Sequence, residues 1–338
     1  MEVCPHCFVD RELIGLISSS GKVGDCEVCG AKKVPLMNMN ELVDFFQELI
    51  SNFRLFDGGV SLKSTLQDNW NFFASYDAAS IILNEILPRI STYIKGPEDH
   101  VDYAEDIVEN YTYWDHLKEE LKWTRRFFPD IDYLGELGWD AFFNTQFELK
   151  PGDLLYRARV HHMSGLRVYP TGEMMAPDSY LAKGGRANPL GIPYLYLSDN
   201  PETVLYEIRA LYLDELSIGT FHLKDEYSSV KIVDFTEETP LFQPTRINHT
   251  IKAKLLRERI SADLSKPMRR YDSDVDYIPT QFICEFISVY TGAKGIQFQS
   301  SLHADGKNLV IFDQDLMQCE EVVLKKVNKL ELQAALLI

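Results

Sequence analysis

The chain is short of positive charge. Lys and Arg number 34 against 51 Asp and Glu, a formal net charge of −17 over 338 residues. A surface that acidic repels phosphate, which argues against wrapping nucleic acid and against docking on anionic lipid. Long apolar runs are also missing: none approaches the ~20 residues of a membrane-spanning helix. The opening residues, MEVCPHCF, lack the charged-then-apolar layout of a signal peptide, so a cytoplasmic protein is expected. There is no G-x-G-x-x-G, which leaves a Rossmann nucleotide site without support. G-x-x-x-x-G-K-[ST], H-E-x-x-H and G-x-S-x-G are absent too. No internal repeat or low-complexity segment occurs. What remains is 45% hydrophobic and 25% charged, the make-up of a folded soluble protein. The length suggests two or three domains.

Cysteine is scarce except at one end. Four of the six fall in the first 29 residues: Cys4, Cys7, Cys26 and Cys29. They form two C-x2-C knuckles separated by 18 residues, the spacing of a four-thiolate zinc site. Each knuckle lets two sulfurs reach one tetrahedral ion, and Gly30 relaxes the turn after the second. So short a segment cannot bury a core of its own, and metal binding would supply its folding free energy. Disulfides or free thiols are the competing readings; a reducing cytoplasm disfavours disulfides. His6 is a spare ligand candidate. Four closed thiolates leave no open position for catalysis. Cys284 and Cys319 lie in apolar, strand-like text and read as buried structural residues.

From residue 38 the apolar period becomes helical. Leu42, Phe45, Phe46, Leu49 and Phe53 share one face of 38–54, with Asn38 or Asn40 as cap. Further helices are expected over 67–75, 77–95 and 113–126, making 38–127 an all-helical stretch with an acidic exterior. Past Lys150-Pro151-Gly152-Asp153 the period shortens. Strands are expected at 154–160, 193–198, 218–223, 230–235, 295–300 and 308–312. Helices are expected at about 201–213, 247–262 and 277–290. Strands and helices without regular alternation imply an α+β domain with a mixed or largely antiparallel sheet.

Within that region, polar residues stand at the edges of apolar elements. Arg157 and Arg159 sit in LLYRARV, Glu207 beside the apolar face of PETVLYEIRAL, Ser300 at the end of GIQFQS and Asn308 at the start of NLVIF. Singly, each reads as an ion-pair, solvated or capping residue. Together, the blocks YRAR (156–159), GRANPLGIPYLYLSDNPETVLYEI (185–208) and GIQFQSSLHADGKNLVIF (295–312) resemble the RES domain, a family named for an Arg, a Glu and a Ser. The resemblance spans about 150–320 and keeps the family's block order.

That resemblance implies a fold like the diphtheria-toxin type of ADP-ribosyltransferase and an NAD-consuming toxin. It places the catalytic set on Arg157, Glu207 and Ser300. The second Arg and the Asn of the family's G-R-W-N block fall on Arg186 and Asn188, the Tyr of its L-Y-L-S block on Tyr196, and the late Asn on Asn308. Arg157, with Arg186 as a second contact, would hold the NAD+ phosphates. Tyr156 and Tyr196 would wall the nicotinamide. Glu207 would stabilise an oxocarbenium-like ribose, and Ser300 would bind the ribose or orient Glu207, with Asn308 as support. The sequence departs from the family pattern at Ala187, where a Trp is usual, at Gln299, where a Pro is usual, and at Gln297.

The expected organisation is a zinc knuckle at 1–37, a helical domain at 38–149 and a RES-like domain at 150–338. Zinc followed by helices before a RES domain resembles the HEPN/RES arrangement. The R-x4–6-H ribonuclease motif of HEPN domains is missing from 38–150, so regulation or homodimerisation is the expected role there. Water, phosphate or a protein side chain could accept the ADP-ribose. These give a glycohydrolase, a phosphorylase or a mono-ADP-ribosyltransferase. The implied setting is a toxin–antitoxin or antiphage system, with an antitoxin or the chain's own N-terminal half as restraint. Two other classes compete. An RNA-directed zinc protein would need a basic stripe, and residues 1–40 offer only Arg11, Lys22, Lys32 and Lys33. An inert scaffold would not need Arg157, Glu207, Ser300 and Tyr196 together.

Overall fold

A computed structural model describes residues 1–144, 146–165, 167–267 and 274–329. The described elements are, in order, β1 (Glu2–Val3), α1 (Arg11–Ser18), β2 (Val23–Gly24), β3 (Val34–Pro35), β4 (Met37–Asn38), α2 (Val43–Ile50), β5 (Phe53–Ser61), α3 (Leu62–Asp68), α4 (Tyr76–Ile86), β6 (His100–Tyr103), α5 (Glu105–Trp123), α6 (Ile131–Glu136) and α7 (Trp139–Phe142). There follow β7 (Gln146–Leu149), β8 (Leu155–Val160), β9 (Leu195–Ser198), α8 (Thr203–Glu207), β10 (Glu215–Leu223), β11 (Val230–Asp234), α9 (Ile247–Ser265), α10 (Ile278–Thr291), β12 (Gly295–Gln299), β13 (Lys307–Ile311) and β14 (Met317–Lys326). The chain divides into two compact units: Met1–Tyr113 with Glu238–Leu256, and Trp114–Glu237 with Arg257–Ile338. No described helix is long and apolar enough to cross a membrane.

In the first unit, local sequence signals set most helix starts. Asp10 caps α1, its Oδ1 accepting from the Glu12 and Leu13 amides at 3.1 Å. Asn38 and Glu41 form a capping box ahead of α2. Ser61 and Ser75 cap α3 and α4. The helix expected over 38–54 ends at Ile50 and Phe53 opens β5, but Leu42, Phe45, Phe46, Leu49 and Phe53 are all buried in one core that also takes in Cys4, Cys7 and Cys26. Five phenylalanine rings, Phe8, Phe45, Phe46, Phe72 and Phe73, pack edge-on or stacked in its centre.

The stretch 38–127 is not all helix. β5 and β6 pair antiparallel within it, with a register shift between Leu55 and Val60. The pairing depends on Gly59, where a Cβ would lie 2.0 Å from the Val101 carbonyl oxygen. The segment 238–256 is stitched into this unit by polar contacts as well as apolar ones. Asp10 Oδ2 accepts from the Phe242 amide at 2.9 Å. The Glu48 carboxylate accepts from the Thr245 and Ile247 amides at 2.7 and 3.1 Å, a negative charge at the N-terminus of α9.

The second unit is built on an eight-stranded mixed sheet in the order β14-β10-β8-β9-β13-β12-β11-β7. Only β11 and β12 run parallel; the other described pairs are antiparallel. The six expected strands all form. Two further strands, β7 and β14, close the edges. Edge strands escape notice in the sequence because they lack a clear alternation: on β14 the charged residues Glu320, Glu321, Lys325 and Lys326 are exposed along with Val323 and Leu324. The helix expected at 201–213 is cut to Thr203–Glu207, because the backbone turns left-handed at Arg209 (φ 52°) and again at Leu213 (φ 72°).

Replacing Phe72 by Ala removes the ring that touches Phe8, Phe45, Phe46 and Phe73. The expected loss is about 3–5 kcal/mol of stability, read from the midpoint of a denaturant titration. An unshifted midpoint would contradict this packing.

Candidate active site

β8 and β9 are neighbours in the sheet, yet they share one residue pair, Tyr156 opposite Ser198. Each strand is instead paired along its length with its other neighbour, β8 with β10 and β9 with β13. The sheet therefore splits where the two strands diverge, and α8 packs into the opening through Val204, against Ala158, Leu216 and Ile218. The result is an open cleft of about 290 Å³. Its lining includes Tyr156, Arg157, Arg186, Tyr196, Ser198, Glu207, Phe298 and Asn308. Six of the eight residues expected at the site line it; Ser300 and Asn188 stand behind the wall.

Glu207 ends α8. Its Oε1 accepts two hydrogen bonds, from Ser300 Oγ at 2.6 Å and from Asn308 Nδ2 at 2.7 Å. Both partners come from the β12–β13 hairpin. Ser300 is buried, and its Oγ also accepts from the Leu302 and His303 amides at 3.2 Å. Asn308 is itself oriented by Ser198, whose hydroxyl donates to Asn308 Oδ1 at 2.9 Å. Two donors on one oxygen fix the plane of the carboxylate and leave Oε2 to the cleft; among the described residues no hydrogen bond reaches Oε2.

Two guanidinium groups stand in the same cleft. Arg157 donates to the Met174 carbonyl at 3.2 Å. Burial, with Arg159 nearby, holds its guanidinium below the usual arginine range. Arg186 donates to the Leu264 carbonyl near the end of α9, and burial lowers it in the same way, with Tyr277 and Glu207 pulling in the opposite direction. A desolvated guanidinium with unused donors is poised for an anion. Arg159 is turned elsewhere: it donates to the Glu173 carbonyl and lies over the Tyr169 ring, 4.8 Å from its centroid.

The loop carrying Arg186 is tied down by Asn188 and Tyr196. Asn188 Nδ2 donates to the carbonyls of Lys183, Pro189 and Ile192, between 2.9 and 3.1 Å. Its Oδ1 accepts from the Tyr196 hydroxyl at 2.8 Å, and that hydroxyl accepts from the Ala187 amide at 3.0 Å. Burial pushes the Tyr196 phenol up, so it stays neutral. Asn188 is thus spent on the loop, while Tyr196 offers its ring to the cleft. Gly185 is demanded here, since a Cβ would meet Asn188 Oδ1 at 2.6 Å and the Tyr196 hydroxyl at 2.8 Å. Ala187, at the position where the family carries Trp, is itself buried.

In the first unit the four N-terminal cysteines form a second cluster. All are free thiols, and their sulfurs lie within 4.8 Å of one another. The closest pairs, Cys4–Cys29 at 3.4 Å, Cys7–Cys26 at 3.5 Å and Cys4–Cys7 at 3.9 Å, come near the edge of about 3.8 Å of a zinc–thiolate tetrahedron. Burial, then the Cys29 and Cys26 sulfurs, push the Cys4 thiol up to about 12. Four thiolates could not share that space without a cation. The donor set therefore fits zinc. Cys284 and Cys319 are buried, and burial pushes both thiols up, Cys319 to about 11, which suits inert packing.

Sequence reasoning missed Ser198 and Phe298. Ser198 ends the same LYLS block that supplied Tyr196, and its pairing with Asn308 across β9 and β13 was the available signal. Phe298 is buried on β12 and carries no polar group to mark it in the sequence.

The sequence matches the RES domain over residues 154–333, more than half of the chain. No curated protein matches it. Among solved structures, a chain of the M. tuberculosis MbcT–MbcA toxin–antitoxin complex aligns at 14% identity and a TM-score of 0.32, over 56% of this chain and 92% of that one. With that match covering more than half of the sequence and the cleft lying inside it, the chain belongs to the RES-domain family, whose toxins act on NAD+.

Proposed function

We propose that this protein cleaves the nicotinamide–ribose bond of NAD+, as a glycohydrolase or phosphorylase, and serves as a toxin in a toxin–antitoxin or antiphage system. The observation that carries the reading is Glu207, held through one oxygen by Ser300 and Asn308 and presenting the other to a cleft that also holds Arg157 and Arg186. Leaving of the neutral nicotinamide builds positive charge on the ribose. A preoriented carboxylate favours that charge more in the transition state than in the ground state. The two desolvated arginines attract the diphosphate, and the rings of Tyr156, Tyr196 and Phe298 supply apolar walls for the nicotinamide. At about 290 Å³ the cleft matches one end of a dinucleotide, with the remainder in solvent or on the rim. The four N-terminal thiols we assign to a structural zinc ion that staples the start of the first unit.

Purified protein incubated with NAD+ should release nicotinamide. Mass analysis with and without inorganic phosphate then tells ADP-ribose from its 1-phosphate, and an ADP-ribosylated protein product would instead mark a transferase. Glu207→Gln should lower the rate at least about 100-fold while leaving the melting temperature unchanged; a variant that depletes NAD+ at the wild-type rate would sink the assignment. Arg157→Lys keeps charge but loses the planar fork, so KM should rise about ten-fold or more with a smaller change in kcat. Metal analysis should find one zinc per chain, and prolonged treatment with a strong chelator should lower the melting temperature of the first unit. Zinc-free protein with an unaltered melting curve would refute the staple.

A further inference from the structure

Glu207 is carried by a very short helix. α8 has five residues; Glu202 makes no side-chain capping bond, and the start of the helix is held by Asn200, whose Oδ1 accepts from the Glu202 and Thr203 amides at 3.0 and 2.9 Å. The backbone turns left-handed two residues after Glu207. Helices this short do not persist without outside support. Ser300 and Asn308 can fix the carboxylate only if the helix already stands at the correct distance from their hairpin.

One residue of the hairpin loop, His303, touches both α8 and Ser300. His303 Nδ1 lies 2.9 Å from Thr203 Oγ1, on the first, fully buried residue of α8. Its ring stacks on Tyr206, the residue before Glu207, with centroids 5.0 Å apart and planes at 7°. Its own amide donates to Ser300 Oγ, the hydroxyl that in turn donates to Glu207. Gly306 is part of the same contact. A Cβ there would stand 2.1 Å from Thr203 Oγ1 and 2.8 Å from His303 Nδ1, so any larger residue would prise the hairpin off the helix.

We propose that His303 is a positioning residue. It sets the spacing between the helix that bears Glu207 and the hairpin that bears Ser300 and Asn308, and so aims the carboxylate. His303 is absent from the cleft lining, so it acts through these neighbours rather than on the substrate. The inference rests on the NAD-cleaving reading of the cleft, and displacement of a reacting group by about 1 Å is worth up to about 100-fold in rate.

The test compares wild type, His303→Ala, Thr203→Val and the double variant in full-length protein, with nicotinamide release as one readout. A second readout is hydrogen exchange at the Leu205 and Ile208 amides, which bond to Glu202 and Val204 within α8. Each single variant should lose kcat at least about ten-fold with KM within about three-fold, and the double should be no worse than the poorer single. Exchange at both amides should speed up by a similar factor. Thr203→Val keeps the side-chain shape and serves if His303→Ala does not fold. Unchanged kcat in both single variants, or losses that multiply in the double, would overturn the positioning role and leave the proposed activity standing. If wild type itself releases no nicotinamide, the activity fails instead, and exchange alone decides: faster exchange upholds the brace, and unchanged exchange refutes it.

Discussion

A single residue pair, Tyr156 opposite Ser198, joins the two halves of the eight-stranded sheet, and the cleft exists because the pairing stops there. Had β8 and β9 paired along their full length, Tyr156, Ala158, Leu197 and Ser198 would lie on a closed surface. Both strands satisfy most of their backbone groups on their other sides, which is what makes the split tolerable. α8 fills part of the opening with apolar side chains and delivers Glu207 to its edge. Arg157 comes from one side of the split, Asn308 and Tyr196 from the other.

The chemistry of the cleft runs against the character of the whole chain. A net charge of −17 repels a diphosphate, yet burial desolvates both arginines of the cleft. A few charges in a low-dielectric pocket outweigh many on a hydrated surface, because solvent and salt screen the distant ones. The acidic excess thus bears on macromolecular partners and says little about a small phosphorylated ligand.

The two units reach stability by different means. The second rests on a long sheet whose core is mostly leucine, isoleucine and valine, with Phe221, Met174 and Met317 among them. The first combines short helices, three two-stranded pairings, a phenylalanine cluster and the thiol cluster. Cys4, Cys7 and Cys26 are members of its continuous core, so a metal there would brace the same packing that holds α2 and α4.

Much of this was legible in residue order. The shortened apolar period located six strands, the C-x2-C knuckles located the thiol cluster, and Asn38 marked the approach to α2, because each of these signals is local. Three blocks of text, with Arg157, Glu207 and Ser300 in family order, pointed to the cleft. Tertiary structure alone decided the rest. It set Asn188 to clamp the loop that carries Arg186, drew Ser198 into the site, and turned Arg159 away from it. It added the edge strands β7 and β14, and it carried residues 238–256 into the first unit. It also paired β5 with β6 inside helical text, through a glycine whose missing Cβ is noticed only when a second backbone lies against it. Residue order specifies which groups are available and which local elements they form. Which of them meet depends on contacts between residues far apart in the chain, such as Glu207 with Ser300 and Asn308, and those have no local signature.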